Sequence, residues 1–63
     1  MNWATNIKVL REKMLVTQTE LAKLLGVAYV SINRYENGIH EPTMKVKRKL
    51  AVLFKKHSIE EVE

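Results

Sequence analysis

The apolar residues of this chain recur at three- and four-residue spacing, and no segment alternates as a half-buried strand would. Trp3, Ile7, Leu10 and Met14 form one stripe and predict a first helix over about residues 2–13. Thr17 followed by Glu20 is a capping box, in which the Thr side chain and the Glu side chain each satisfy a free amide at a helix start. The second helix it opens ends at Leu25, where Gly26 supplies the positive φ of a sharp turn. A third helix is expected from about 29 to 37, stopped by a left-handed cap at Gly38. A fourth begins after Pro42 with Thr43 as N-cap and continues to about 56, with Val46, Leu50, Leu53 and Phe54 inward. Ser58 and Glu61 repeat the capping-box spacing and predict a last helical turn. The expected fold is all-α, a compact bundle of five short helices.

Sixty-three residues suit one domain, 1–63. A chain of this size buries only roughly 60% of its unfolded surface, so its stability is marginal without support. The absence of cysteine excludes disulfides and thiolate metal sites. His40 and His57 are too few and too isolated for a structural zinc, so neither metal nor cofactor is expected. A second copy of the chain is the simplest remaining support. No apolar run approaches the ~20 residues needed to span a bilayer, and a signal-peptide pattern is missing. A cytoplasmic protein with no membrane partner is the expectation. Residues 1–57 hold all 11 Lys and Arg but only four acids, Glu12, Glu20, Glu36 and Glu41. The body is therefore more basic than the net charge of +4 implies, which suits a polyanion.

From Thr17 to Gly38 the chain reads as two short helices joined by a tight turn, the second with an apolar inner face and a mixed outer one. Around that unit stand Ile7 and Leu10-Arg11, Gln18-x-Glu20-Leu21-Ala22, Gly26-Val27, Ser31-Ile32, Glu36-Asn37-Gly38 and Pro42. This combination resembles the lambda-repressor-like family, the Cro-type or Xre-type helix-turn-helix, over nearly the whole chain. The resemblance implies a helix-turn-helix at about 18–37, double-stranded DNA as partner and a major groove read by the third helix. Ala22 is small where helices 2 and 3 cross closely, and Leu21, Leu25, Val27, Ile32 and Tyr35 join them. The sequence departs from the family at Leu15, where many members have a left-handed glycine, and at Ala28, where many have a capping Ser or Thr. Lys47 and Arg48 also stand where helix 4 often has small or apolar residues.

At about 100° per residue, Ser31, Ile32 and Tyr35 point one way and Tyr29, Val30, Asn33, Arg34 and Asn37 the other. On the outer face Val30 suits thymine methyls, its alternative being partial burial against the protein. Arg34 suits guanine O6 and N7 or a phosphate, and Asn33 an adenine or a hydrogen-bonding neighbour. Tyr29 suits a base edge or a phosphate, and Ala28 offers a methyl. Gln18, at a helix N-terminus whose free amides favour an anion, is a candidate phosphate contact. Asn37, Thr43 and Lys45 are candidates for gripping the strand from the other side. Lys47, Arg48 and Lys49 fan over more than half of helix 4, so only part of that run would face DNA. The resemblance pairs Arg11 with Glu36 in a structural salt bridge; the alternative is two separate exposed charges.

An enzyme is not expected, since no nucleophile–base constellation or phosphate loop is present. The expected function is sequence-specific DNA binding by a small transcriptional repressor. The alternative is an antitoxin-like or other protein-interaction module, with Val52, Ile59 and Val62 as contacts. One reading helix spans few base pairs, so a weak homodimer forming on a palindromic operator is expected. Its pairing surface is expected around Phe54, Ile59 and Val62.

Overall fold

A computed structural model describes residues 2–59 and places four helices in them: α1 Trp3–Met14, α2 Gln18–Leu25, α3 Tyr29–Glu36 and α4 Met44–Lys56. Each helix start follows from a side-chain cap, with one exception. Asn2 Oδ1 accepts from the Thr5 amide at 3.1 Å, so α1 begins one residue later than its apolar stripe suggests and runs on through Met14. Thr17 Oγ1 accepts from the Glu20 amide at 3.1 Å, and Glu20 Oε1 accepts from the Thr17 amide at 2.9 Å. Thr43 Oγ1 accepts from the Val46 amide at the start of α4. The exception is α3, where Ala28 can offer no side-chain acceptor.

The helix ends show how the chain turns. Gly26 and Gly38 sit in the left-handed region, at φ +71° and +72°. α3 ends at Glu36, with Asn37 as its C-cap and the Ile39 amide donating to the Arg34 carbonyl at 3.0 Å. Leu15 takes the same left-handed conformation, φ 57°, and its side chain is exposed. An L-residue there costs on the order of 1 kcal/mol, and no burial offsets it.

Ser58 differs from the sequence reading. At φ 56° it is the left-handed residue that closes α4, not an N-cap that opens another helix. The Ile59 amide donates to the Phe54 carbonyl at 2.8 Å, and Lys13 Nζ lies 3.4 Å from the carbonyls of His57 and Ser58. The described residues therefore form a four-helix rather than a five-helix bundle; Glu61 and the rest of the expected last turn lie outside them.

The core is one cluster: Ile7 and Leu10 of α1, Leu21, Ala22 and Leu25 of α2, Ile32 and Tyr35 of α3, and Val46, Leu50 and Phe54 of α4. α3 packs on α1 and α2, and α4 closes over α1 and α2. Trp3 lies half-buried against Phe54, ring centroids 5.8 Å apart, with Lys47 Nζ 5.2 Å from the indole centroid and 2.9 Å from Glu41 Oε2. Met14 and Leu53 are only half-buried at the edges of this core. Phe54, by contrast, is 2% exposed. It belongs to the core, and the pairing surface expected around it is corrected accordingly.

The Glu20 carboxyl is held below its ordinary pKa, first by the hydrogen bond from the Thr17 amide and then by that from the Thr17 hydroxyl. A depressed carboxylate contributes stability that is present above the unfolded pKa and lost as pH falls through the folded one. Thr17→Ala should cost about 1 kcal/mol in urea unfolding. In an NMR titration it should also move the Glu20 pKa upward.

Candidate nucleic-acid interface

α3 divides cleanly by face. Ile32 is 0% exposed and Tyr35 is buried beside it, whereas Val30 is 44% exposed. Tyr29, Arg34 and Asn37 are exposed with Val30, as is Ala28 just before the helix; Asn33 is half-buried. Two open clefts flank this face. One, of about 630 Å³, is lined by Arg11, Gln18, Thr19 and Tyr29 among others, at the start of α2. The other, of about 190 Å³, is lined by Ser31, Arg34, Tyr35, His40, Glu41 and Thr43, at the start of α4. Lys45, the second residue of α4, is exposed.

Behind the face runs a connected set of polar side chains. Glu36, the last residue of α3, is 4% exposed, and Arg11 of α1 grips it with two bonds: Nε to Oε2 at 2.8 Å and Nη2 to Oε1 at 3.0 Å. Gln18 Nε2 donates to the same Oε1 at 3.2 Å. Gln18 Oε1 accepts from Asn33 Nδ2 at 3.4 Å. Asn37 Nδ2 turns back on its own helix, donating to the Asn33 carbonyl at 2.9 Å and to Asn33 Oδ1 at 3.1 Å. The Arg11 guanidinium pKa is raised above its ordinary value, first by its hydrogen bonds to Glu36 and against the cost of partial burial.

The sequence reading gave Gln18, Asn33 and Asn37 separate tasks. The structure instead ties their amides to one another and to Glu36. Nothing in the spacing announced the Gln18–Glu36 bond, which joins residues far apart in the chain and depends on how α2 crosses α3. Two further cations are committed internally. Lys49 Nζ donates to the Leu25 carbonyl at 3.1 Å, closing the C-terminal end of α2, and Lys47 is held by Glu41 and Trp3. Of the basic run on α4, Arg48 stays outside these contacts among the described residues.

Two helices crossing at a left-handed glycine, the second exposing a mixed face between two helix starts, define a helix-turn-helix domain. The family model described as Helix-turn-helix matches residues 7–60. The chain also resembles an uncharacterized HTH-type transcriptional regulator of Archaeoglobus fulgidus, with 42% identity over 50 residues that cover 79% of this chain and 70% of the relative. The chain belongs to the helix-turn-helix family of the Cro/Xre type. No solved structure matches it significantly. None of the described helices is long and apolar enough to cross a membrane, and the described residues contain no cluster of potential metal ligands.

The buried carboxylate makes the two members of the ion pair unequal. Arg11→Met should cost about 2–3 kcal/mol in urea unfolding, because it leaves a buried charge with little compensation. Glu36→Gln keeps the shape, removes that charge and should cost less. Equal losses from both would show that Glu36 is well hydrated.

Proposed function

We propose that this domain binds duplex DNA sequence-specifically as a small transcriptional repressor, with α3 in the major groove. The observation that carries the reading is the exposed Tyr29–Val30–Arg34 face set between two clefts at the starts of α2 and α4. The name of the archaeal relative supports it. In this reading Ala28, Tyr29, Val30, Asn33 and Arg34 meet base edges. Gln18, Asn37, Thr43 and Lys45 meet phosphates, Gln18 with α2's first amides behind it. Asn33 and Asn37 then exchange their mutual hydrogen bond for bonds to the duplex. In this reading the protein works in the cytoplasm, beside its DNA partner.

Two domains reading half-sites about 34–36 Å apart would supply the selectivity that one short helix lacks. We place their pairing surface in the last third of the chain, around Ile59. Phe54 is excluded by its burial, and Val62 lies outside the described residues.

Arg34→Ala and Val30→Ala should each remove about 1–3 kcal/mol of discrimination between the preferred site and random DNA. Lys45→Ala, which touches no side chain that supports α3, should weaken binding to both alike. With several cations held internally, the salt dependence should be shallow, a slope of about −2 to −4 in log K against log salt. Competition gel shifts on a selected palindrome measure all of these, and saturation should bring two chains to each site. Equal losses on specific and random DNA for all three variants would refute the assignment.

A further inference from the structure

On the flank of the bundle, α2 and α4 leave an apolar hollow of about 280 Å³ lined by Leu24, Leu25, Lys49, Val52 and Leu53. Leu24 is 56% exposed and Val52 is 67% exposed, and neither belongs to the residues assigned to DNA. Exposed aliphatic side chains are common singly, but these converge from two helices on one depression.

The charge on the α4 side of this hollow is of one sign. Lys49, Val52 and Lys56 recur at three- and four-residue spacing and so share one stripe of α4. α4 carries six Lys and Arg and no acid. On α2, Glu20 lies one turn before Leu24, held by Thr17 in the capping box and attracted by Lys23, so that side of the hollow is mixed in charge. Lys49 uses one N–H on the Leu25 carbonyl, which fixes its ammonium at the rim.

That charge selects the occupant. A second copy of the chain, pairing through this face about a two-fold axis, would bring two uniformly basic α4 surfaces together. A nucleic acid would suit the lysines but would leave the aliphatic centre without a partner. From the hollow and its rim we infer that the α2–α4 flank docks another protein, through an amphipathic helix presenting aliphatic side chains between carboxylates. Leu24, Val52 and Leu53 receive the aliphatic groups, and Lys49 and Lys56 face the carboxylates.

The test titrates the isotope-labelled full chain with a synthetic helical peptide carrying two leucines one turn apart, flanked by glutamates. NMR amide shifts should centre on Leu24, Lys49, Val52 and Leu53. Val52→Glu should weaken the peptide by about tenfold or more, and Lys56→Glu severalfold, with helicity and DNA binding unchanged. DNA binding, measured in parallel, fails or stands independently of this result. Absence of shifts at millimolar peptide would overturn the inference, as would shifts centred on α3. Equal binding of the alanine-for-leucine peptide would reduce the face to a polyanion surface. Stable free dimers dissolved by Val52→Glu would assign it to a second copy. Either result also overturns the proposal.

Discussion

The Glu36 carboxylate is the constraint on which the reading helix depends. α3 is eight residues long, lacks a side-chain cap at its start and would not persist alone in water. It is held by burial of Ile32 and Tyr35 against α1 and α2, and at its far end by a carboxylate that is almost fully desolvated. A buried charge must be paired, and both partners come from other helices: Arg11 from α1 and Gln18 from the start of α2. Any slide or rotation of α3 that broke these bonds would strand the charge. The orientation of Val30 and Arg34 toward solvent is therefore fixed from behind. A buried ion pair adds little net stability over an apolar replacement, so its contribution here is to geometry.

The same bonds tie the back of α3 to its front. Gln18 reaches Glu36 with its nitrogen and Asn33 with its oxygen, and Asn37 closes on Asn33. Fold and reading face thus share side chains. A substitution at Gln18 would act on a candidate phosphate contact and also on the support of α3.

What could be read from the sequence was local. Thr17 and Glu20 form their box within one turn, so residue type and spacing specify it without tertiary context. Gly26 and Gly38 announce left-handed turns because little else is comfortable there. The inward face of α3 follows from helical period alone. Ser58 misled because Ser-x-x-Glu has the composition of a helix start, while a left-handed serine has no signature of its own. Here its conformation accompanies the Ile59–Phe54 backbone bond and the packing of Ile59 on the core. Phe54 was legible as core from its period. Its use in pairing was an inference from position in the chain, and burial overrules it. The contacts of Gln18, Lys13 and Lys49 join residues distant in sequence, and one chain carries no signal for them.

Composition also overstates how much positive charge the surface can turn toward DNA. Arg11 neutralises Glu36, Lys13 and Lys49 cap the carbonyl ends of α4 and α2, and Lys47 lies between Glu41 and Trp3. These cations hold together a domain that has no disulfide to do so. Each sits where a helix end or a carboxylate needs it, so moving them to serve phosphate would weaken the fold. The remaining cations separate by location. Arg34 and Lys45 stand by the reading helix and the start of α4, while Lys23 and Lys56 stand around the α2–α4 hollow. The basic residues thus divide among internal contacts, the α3 side and the flank, while Lys8, Arg48 and Lys55 belong to none of these groups. Arg11 and Lys47 are offset by the carboxylates beside them, so the external field is weaker than the number of basic residues implies. In the proposed reading, selectivity then rests on the few side chains that α3 presents.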